Sequence, residues 1–186
     1  MSNVKTNILE AAVRVFMRYG VGRTRMSDIA SEAGVVRQTL YSFFKSKDQI
    51  LCGAIRHFSD RAQVEIEDEW QSLQTFEDKL SIFHEHAIIT SFKVISASPE
   101  ARDMIGGYNA AGKAEAGNAQ SGKVKMWTKE LSAHHLTNDG DISAKRFAEY
   151  IVLSSIGLRD QATSERQLRA LLAIQRSGLL AQIESR

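Results

Sequence analysis

The stretch TRMSDIASEAGVVRQTLYSFFKSK, residues 24–47, decides the fold of this chain. Apolar residues recur in its first part at helical spacing, which predicts a helix from about Arg25 to Ala33. Gly34 follows, where a tight turn between helices requires a positive φ angle. A third helix is then predicted over about Val36 to Phe43. Helix, glycine turn and short helix together predict a helix-turn-helix, a motif whose second helix enters the major groove of DNA.

The predicted third helix has two different sides. At about 100° per residue, Val36, Leu40 and Phe43 fall on one of them. The other side carries hydrogen-bonding groups and no carboxylate, which suits contacts to bases and phosphates. An ordinary solvated helix of a bundle is the alternative interpretation. The residues of this second side are Arg37, Gln38, Tyr41 and Ser42, with Thr39 at its margin.

Helical patterns continue on both sides of the motif. An apolar stripe from Val4 to Tyr19 predicts a first helix that ends at Gly20, a left-handed cap. Thr24 is placed to cap the second helix and Ser46 to cap a long fourth one. Beyond them we predict a helix that Thr75 caps and that runs to about Ile95, a loose loop at 106–122 with five glycines, and helices over about 122–134, 142–158 and 164–183.

The composition excludes several classes of protein. Of the 186 residues, 43% are hydrophobic and 25% charged, which is typical of a globular protein. No stretch approaches the roughly 20 apolar residues of a membrane span, and no apolar signal follows Met1, so we expect a cytoplasmic protein. The single cysteine, Cys52, excludes an internal disulfide and a zinc site of several thiolates. One proline and few alternating runs favour an all-α protein.

The charge is distributed unevenly along the chain. The net charge is +2, but residues 1–56 carry +5 and the remaining residues carry −3. A basic head on an acidic body favours a polyanionic partner for the head. Because a charge of +5 over this length is only moderately unusual, the charge alone does not decide between nucleic acid and no such partner.

A long pattern of residues extends the match beyond the motif. It consists of Ile8-Leu9-Glu10-Ala11-Ala12, Phe16, Gly20, Thr24, Asp28-Ile29-Ala30, Ala33-Gly34-Val35, Thr39-Leu40-Tyr41, Phe44 and Lys47-Asp48. With it, residues 8–55 resemble the N-terminal domain of the tetracycline-repressor (TetR) family of bacterial transcriptional regulators. The resemblance implies an all-α protein with a helix-turn-helix DNA-binding domain at 1–48 and a helical effector-binding and dimerisation domain at 49–186.

The resemblance also implies a homodimer whose two heads bind a near-palindromic double-stranded DNA operator. Position by position, Arg37, Gln38, Thr39 and Ser42 would face bases or the adjacent backbone. Tyr41 and Lys47 would contact phosphates. Thr24 would lie at the start of the second helix, where backbone amides favour a phosphate.

Two residues depart from the family pattern. Val36 stands where the family usually has a small hydroxyl residue, so it cannot cap the third helix and about 1 kcal/mol of capping is lost. Phe43 stands where a histidine or tyrosine often reaches a phosphate, and it can only pack. Both departures predict a weaker or differently seated recognition helix.

The rest of the chain offers no catalytic or metal-binding pattern. His84 and His86 are two residues apart and point away from each other on a helix, so they cannot share an ion. The glycines at 106–122 fit no phosphate-binding loop. We therefore expect no metal, no cofactor and no enzymatic activity.

Large apolar residues in the body allow a pocket between helices, with simple core packing as the alternative. We expect an apolar or aromatic effector in this pocket, with His86 as a polar anchor. The residues assigned to it are Phe83, His86, Ala87, Met104, Tyr108 and Trp127.

The two final helices each carry an apolar stripe. Paired with a second copy, these stripes would form an isologous four-helix interface, whereas in a monomer both would be buried internally. The residues assigned to the interface are Phe147, Ile151, Ser155, Leu158, Leu168, Leu172 and Leu179.

Taken together, these patterns predict a dimeric transcriptional repressor that a small molecule releases from DNA. Its two recognition helices must lie about 34–36 Å apart to enter successive major grooves, and the ligand would change this separation through the fourth helix. In the alternative, the second domain responds to a protein partner instead of a small molecule.

Overall fold

The computed structural model describes residues 2–98, 100–133 and 143–184, and over these ranges it is helical without strands, which confirms the predicted all-α class. No helix in these ranges has the length and apolar character needed to cross a bilayer. In chain order the elements are α1 (Ser2–Tyr19), α2 (Met26–Glu32), α3 (Arg37–Phe43), α4 (Lys47–Trp70), α5 (Phe76–Phe83), the π-helix π1 (His84–Ile89), α6 (Thr90–Ala97), α7 (Ala101–Gly106), α8 (Ala110–Ala133), α9 (Ala144–Gln161) and α10 (Glu165–Glu184).

The chain divides into two compact units. The first unit consists of Met1–Arg61 and Val94–Ala119, and the second of Ala62–Lys93 and Gln120–Arg186. This division differs from a boundary between residues 48 and 49, because the core of the first unit also contains Ile50, Leu51 and Met104. The functional boundary of the DNA-binding domain stays a prediction.

The core of the first unit explains why the helix-turn-helix forms. The predicted stripe of α1 is buried, with Ile8 and Phe16 fully inaccessible, and it packs with Ile29 of α2 and Leu40 of α3. Gly34 has a φ angle of +65°, as the predicted turn between α2 and α3 requires. The periodic pattern thus places α3 against α1 and α2 by its apolar side.

The start of α2 differs from the prediction. Its N-cap is Arg25, whose backbone N–H donates to Asp28 Oδ2 over 2.7 Å. The hydroxyl of Thr24 instead donates to the Gly20 carbonyl over 2.7 Å, and Thr24 is only 2% exposed. The cap prediction for Thr24 was wrong because α2 begins one residue later than a cap at Thr24 requires, and the Thr24 hydroxyl is turned towards the end of α1.

The predicted loose loop at 106–122 was also wrong, because most of it belongs to α8. Only three residues separate Gly106, the last residue of α7, from the start of α8. Three of the five glycines, at 112, 117 and 122, therefore lie inside a helix, where each costs about 1 kcal/mol relative to alanine. Tertiary packing overrides this weak local preference.

The second unit has its own core. Its centre is an aromatic cluster that consists of Trp70, Phe76, Phe83, Trp127 and Phe147. Thr75 caps α5 as predicted, since its hydroxyl oxygen accepts from the backbone N–H of Asp78. The single helix predicted to run to Ile95 is interrupted by π1, a change of register that helical periodicity does not signal.

Candidate functional site

One side of α3 is buried in the core of the first unit, and the other side is exposed. Leu40 is fully buried and Phe44, just after the helix, is nearly so. Val36 is the N-cap and, as its aliphatic side chain dictates, makes no capping hydrogen bond. It is 69% exposed, so the prediction that placed it on the buried side with Leu40 was wrong. The helix therefore presents a short apolar contact at its first turn as well as its polar side.

The polar side of α3 is exposed to solvent, as the sequence predicts. Arg37, Gln38, Tyr41 and Ser42 are exposed and Thr39 is half-buried. Within the described part of the chain, Arg37 and Gln38 make no hydrogen bond or ion pair. The Ser42 hydroxyl donates to the Thr39 carbonyl over 2.7 Å, so Ser42 Oγ is left to accept a hydrogen bond. A free guanidinium, a free amide and a phenol therefore face outward together.

The carboxylates of α2 already have partners. Glu32 accepts from Arg14 over 2.7 Å, and this hydrogen bond holds the pKa of the Glu32 carboxyl below its usual value. Asp28 accepts from the backbone of Arg25. The exposed Lys45 lies just after α3, with its Nζ 2.9 Å from the Tyr41 carbonyl. The neighbourhood of α3 is therefore cationic, and Lys45 is a candidate phosphate contact that the sequence pattern did not single out.

Lys47 makes contacts within the protein that compete with its predicted contact to a DNA phosphate. Its ammonium donates to the carbonyls of Val21, Gly22 and Thr24 over 2.8, 3.2 and 3.1 Å. An ammonium has three N–H donors, so these contacts occupy all of them. Lys47 thus fastens the α1–α2 loop to the start of α4, and a phosphate contact would require it to leave these carbonyls. Thr24 is likewise committed to the protein backbone by its buried hydroxyl.

We expect Lys47→Met to lower the free energy of unfolding by about 2 kcal/mol, because two part-buried contacts and one exposed contact to carbonyls lose a charged donor. Lys45→Met, the matched control, should change it by less than about 0.5 kcal/mol. Urea unfolding followed by circular dichroism measures both. In DNA titrations at several salt concentrations, Lys45→Met should reduce the slope of log K against log salt by about one. A stable Lys47→Met protein with this reduced slope would restore the predicted phosphate role.

Polar side-chain contacts join the segment 94–119 to the rest of the first unit. Arg23 pairs with Glu100, Asn109 donates to Asp48, and Ser98 donates to the Met17 carbonyl. Arg56 makes two hydrogen bonds of 2.8 Å to Glu115, and they hold the pKa of that carboxyl below its usual value. These partners are far apart in sequence, so no local pattern could have identified them.

The six residues predicted for the effector pocket divide between the two units. Phe83, Ala87 and Trp127 lie together in the core of the second unit, and the ring centroids of Phe83 and Trp127 are 5.5 Å apart. His86, in the same unit, is flanked by Glu65 and Glu69, which lie 3.2 and 2.7 Å from its ring nitrogens. The two others belong to the first unit, where Met104 is buried and Tyr108 is exposed.

The residues predicted for the dimer interface are mostly buried within their own chain. Leu158 is half-buried, and the other six pack into the core of the second unit or are enclosed by it. The opposite surface of α9 and α10 exposes large apolar side chains instead, namely Tyr150, Leu153 and Ile174. A groove of about 600 Å³ follows this surface, lined by Arg146, Phe147, Tyr150, Ile174, Gln175, Gly178, Leu179 and Gln182.

Comparison with known proteins matches the first helices of the chain to a known family. Residues 8–52 match the model of the family described as bacterial regulatory proteins, tetR family. The helix-turn-helix of this chain is therefore of the TetR type. It is 28% identical over 109 residues to a fatty acid metabolism regulator protein of Bacillus subtilis (strain 168), a match that covers 53% of this chain and 56% of the relative. The match thus spans about half the length of this relative.

Solved structures extend the likeness of the fold to nearly the whole chain. The transcriptional regulator FadR of Bacillus subtilis, in complex with stearoyl-CoA, is 18% identical with a TM-score of 0.69, and the match covers 95% of this chain and 96% of that one. A protein from Saccharomonospora viridis, solved in complex with choline, is 19% identical with a TM-score of 0.65, and the match covers 93% of this chain and 95% of that one. The likeness of the fold to these two structures therefore includes the second unit.

Proposed function

We propose that this TetR-family protein is a homodimeric transcriptional repressor that leaves a near-palindromic operator when a small apolar or aromatic molecule binds the second unit. The observation that carries the proposal is the outward side of α3, where Arg37 and Gln38 are exposed and unpaired within the described residues. Arginine and glutamine are suited to bidentate contacts with guanine and adenine in the major groove.

The neighbours of these two residues complete a recognition surface. Val36, largely exposed at the first turn, suits contact with the methyl group of a thymine. Tyr41 and Lys45 are placed at the other end of α3, where a phenol and an ammonium can bind phosphates. Base contacts near the start of the helix and phosphate contacts near its end match the docking of a helix-turn-helix.

An effector in the second unit is supported by the aromatic cluster and by the relatives. The two solved neighbours hold stearoyl-CoA and choline, so this fold accommodates small molecules of different chemistry. Helix α4 supplies Ile50 and Leu51 to the core of the first unit and Ile66 and Trp70 to that of the second. If a ligand bound more tightly when α4 is displaced, it would favour that displacement, and the helix-turn-helix would move away from its DNA-binding position.

Dimerisation is supported by the exposed surface of α9 and α10. Tyr150, Leu153 and Ile174 are more than half exposed in the single chain, which is unusual for side chains of this size clustered on one surface. Two copies related by a twofold axis would cover this surface with itself. We therefore propose this outer surface, rather than the buried stripes, as the dimer interface.

The test is a selection of random DNA fragments by the purified protein. We expect a near-palindrome whose half-sites are about one helical turn, 10 base pairs, apart or a multiple of it. Against the selected site, Gln38→Ala should weaken binding about tenfold or more, because a bidentate base contact is lost, and it should leave binding to random DNA unchanged.

Lys45→Ala is the control for this variant, since the loss of a phosphate contact should weaken binding to both DNAs alike. Equal losses for Gln38→Ala on selected and random DNA would contradict the assignment of this side chain to bases. A half-site without a symmetric partner would contradict the homodimer. If no small molecule but a protein partner released the DNA, the effector part of the proposal would fail.

A further inference from the structure

Trp127 occupies the centre of the aromatic cluster in the second unit. Its ring centroid lies 4.6 Å from that of Trp70 and 5.5 Å from those of Phe76 and Phe83. The side chain is fully inaccessible to solvent. Aromatic rings therefore surround Trp127 on several sides, and such rings offer an indole N–H no strong hydrogen-bond acceptor.

The indole N–H of Trp127 has no hydrogen-bond partner among the residues that the structure describes. Trp70, the other tryptophan of the cluster, is different because its N–H donates to the Lys79 carbonyl over 2.9 Å. Buried indole groups usually find an acceptor, since an unpaired buried donor loses its hydrogen bond to water without replacement. An unpaired donor inside an aromatic core therefore marks a place where an acceptor from outside the chain would bind favourably.

The charges beside the cluster restrict the chemistry of that acceptor. The Lys79 ammonium lies 2.5 Å from Glu130 Oε1, and Glu130 follows Trp127 by one turn of α8. Because this cation already has an anionic partner, it leaves no uncompensated positive charge for a carboxylate ligand. A cationic group next to Trp127 Nε1 is disfavoured as well, since the N–H presents its positive end there. A neutral acceptor on an apolar molecule satisfies both conditions.

We propose that Trp127 Nε1 donates a hydrogen bond to a neutral carbonyl or ether oxygen of an apolar ligand that binds in the aromatic cluster. This inference rests on the effector proposed above and names the functional group by which the second unit recognises it. Phe76, which is half-buried, forms the outer edge of the cluster, so a ligand would enter beside it. The aromatic rings would then contribute apolar contact, and Trp127 would select for the oxygen.

The test uses acetophenone and ethylbenzene, which share a carbon skeleton and differ by the carbonyl oxygen. The protein contains two tryptophans, so ¹H–¹⁵N spectra of the full-length chain show two indole signals. Acetophenone should move the Trp127 signal downfield, whereas ethylbenzene should not. Trp127→Phe should shift the ratio of the two dissociation constants about tenfold towards ethylbenzene, because one hydrogen bond is lost. Trp70→Phe, whose N–H is already paired, is the matched control and should leave this ratio unchanged.

The proposal is overturned if the ratio is the same in Trp127→Phe, if both compounds move the Trp127 signal alike, or if neither binds up to its solubility limit. Should Trp127→Phe fail to fold, the titration of the unaltered protein still decides, since the direction of the Trp127 signal is measured there. These titrations contain no DNA, so their outcome does not depend on the proposed repressor mechanism. A ketone that binds through Trp127 and leaves DNA binding unchanged would therefore count against the proposed repressor mechanism and not against this site.

Discussion

Replacing Gly107 with alanine is expected to lower the free energy of unfolding of the first unit by at least about 3 kcal/mol. A Cβ at this position would lie 2.3 Å from the backbone N of Lys113 and 2.4 Å from the carbonyl carbon of Gly112. These are backbone atoms of α8 that cannot move without displacing the helix. The φ angle of Gly107 is +82°, a conformation that residues with a side chain rarely adopt. Steric overlap and backbone strain therefore act together.

Gly106→Ala is the matched control, because it makes the same chemical change one residue earlier. A Cβ on Gly106 meets nothing within 4 Å, and Gly106 lies at the end of α7, where alanine is the better helix former. We expect this variant to change the free energy of unfolding by less than about 1 kcal/mol. Urea unfolding monitored by circular dichroism compares the two. Similar stabilities for both variants would show that the contact between residues 107 and 112 is not required.

The consequence of Gly107→Ala should reach the helix-turn-helix. Asn109, in the same short connection, accepts from the backbone N–H of Gly112 over 2.9 Å and donates to Asp48 over 2.8 Å. Asp48 lies in the first turn of α4, directly after the helix-turn-helix stretch 24–47. The close approach of Gly107 to Gly112 therefore positions a contact that supports the start of α4, next to the helix-turn-helix.

Features that depend on neighbouring residues could be predicted from the sequence. The spacing of apolar residues in α1, α2 and α3 fixes which side of each helix is buried, and Gly34 fixes the turn because few other residues adopt its φ angle. The exposure of Gln38 follows from the same periodicity, since Gln38 lies about 160° around the helix from Leu40, whereas Arg37 lies about 60° from Leu40 and is exposed at the edge of the polar side. The helix-turn-helix and its outward side are therefore local consequences of residues 24–47.

Features that depend on distant residues could not be predicted. The resemblance assigns Lys47 to a phosphate, but no local pattern shows that the α1–α2 loop brings three carbonyls to its ammonium. Periodicity likewise shows that Ile151 and Leu172 share apolar stripes, but it does not show whether their own chain or a second copy covers them. The sequence identifies a buried face, and only the tertiary structure identifies what covers it.

The second large effect concerns pH and His84, the first residue of π1. The pKa of His84 is lowered to about 4, chiefly by burial; a hydrogen bond with Gln175 opposes this shift, and the nearby charge of Arg176 adds to it. His84 Nε2 also lies 3.5 Å from Ser155 Oγ. In the unfolded chain its pKa is expected near the ordinary value of 6.5. The folded protein therefore holds this imidazole neutral down to a lower pH than the unfolded chain does.

The sign of the pH dependence follows from this difference. Between pH 6.5 and pH 4 the unfolded chain binds a proton at residue 84 that the folded chain excludes, so stability should fall as the pH falls through this window. The loss contributed by His84 should approach about 3 kcal/mol at pH 4 and vanish above pH 7. Urea unfolding at several pH values between 4.5 and 7.5 measures it, and His84→Gln should make the slope shallower. Because all other titratable groups are common to both proteins, the difference between their slopes isolates His84, and identical slopes would mean that the imidazole accepts its proton inside the folded chain.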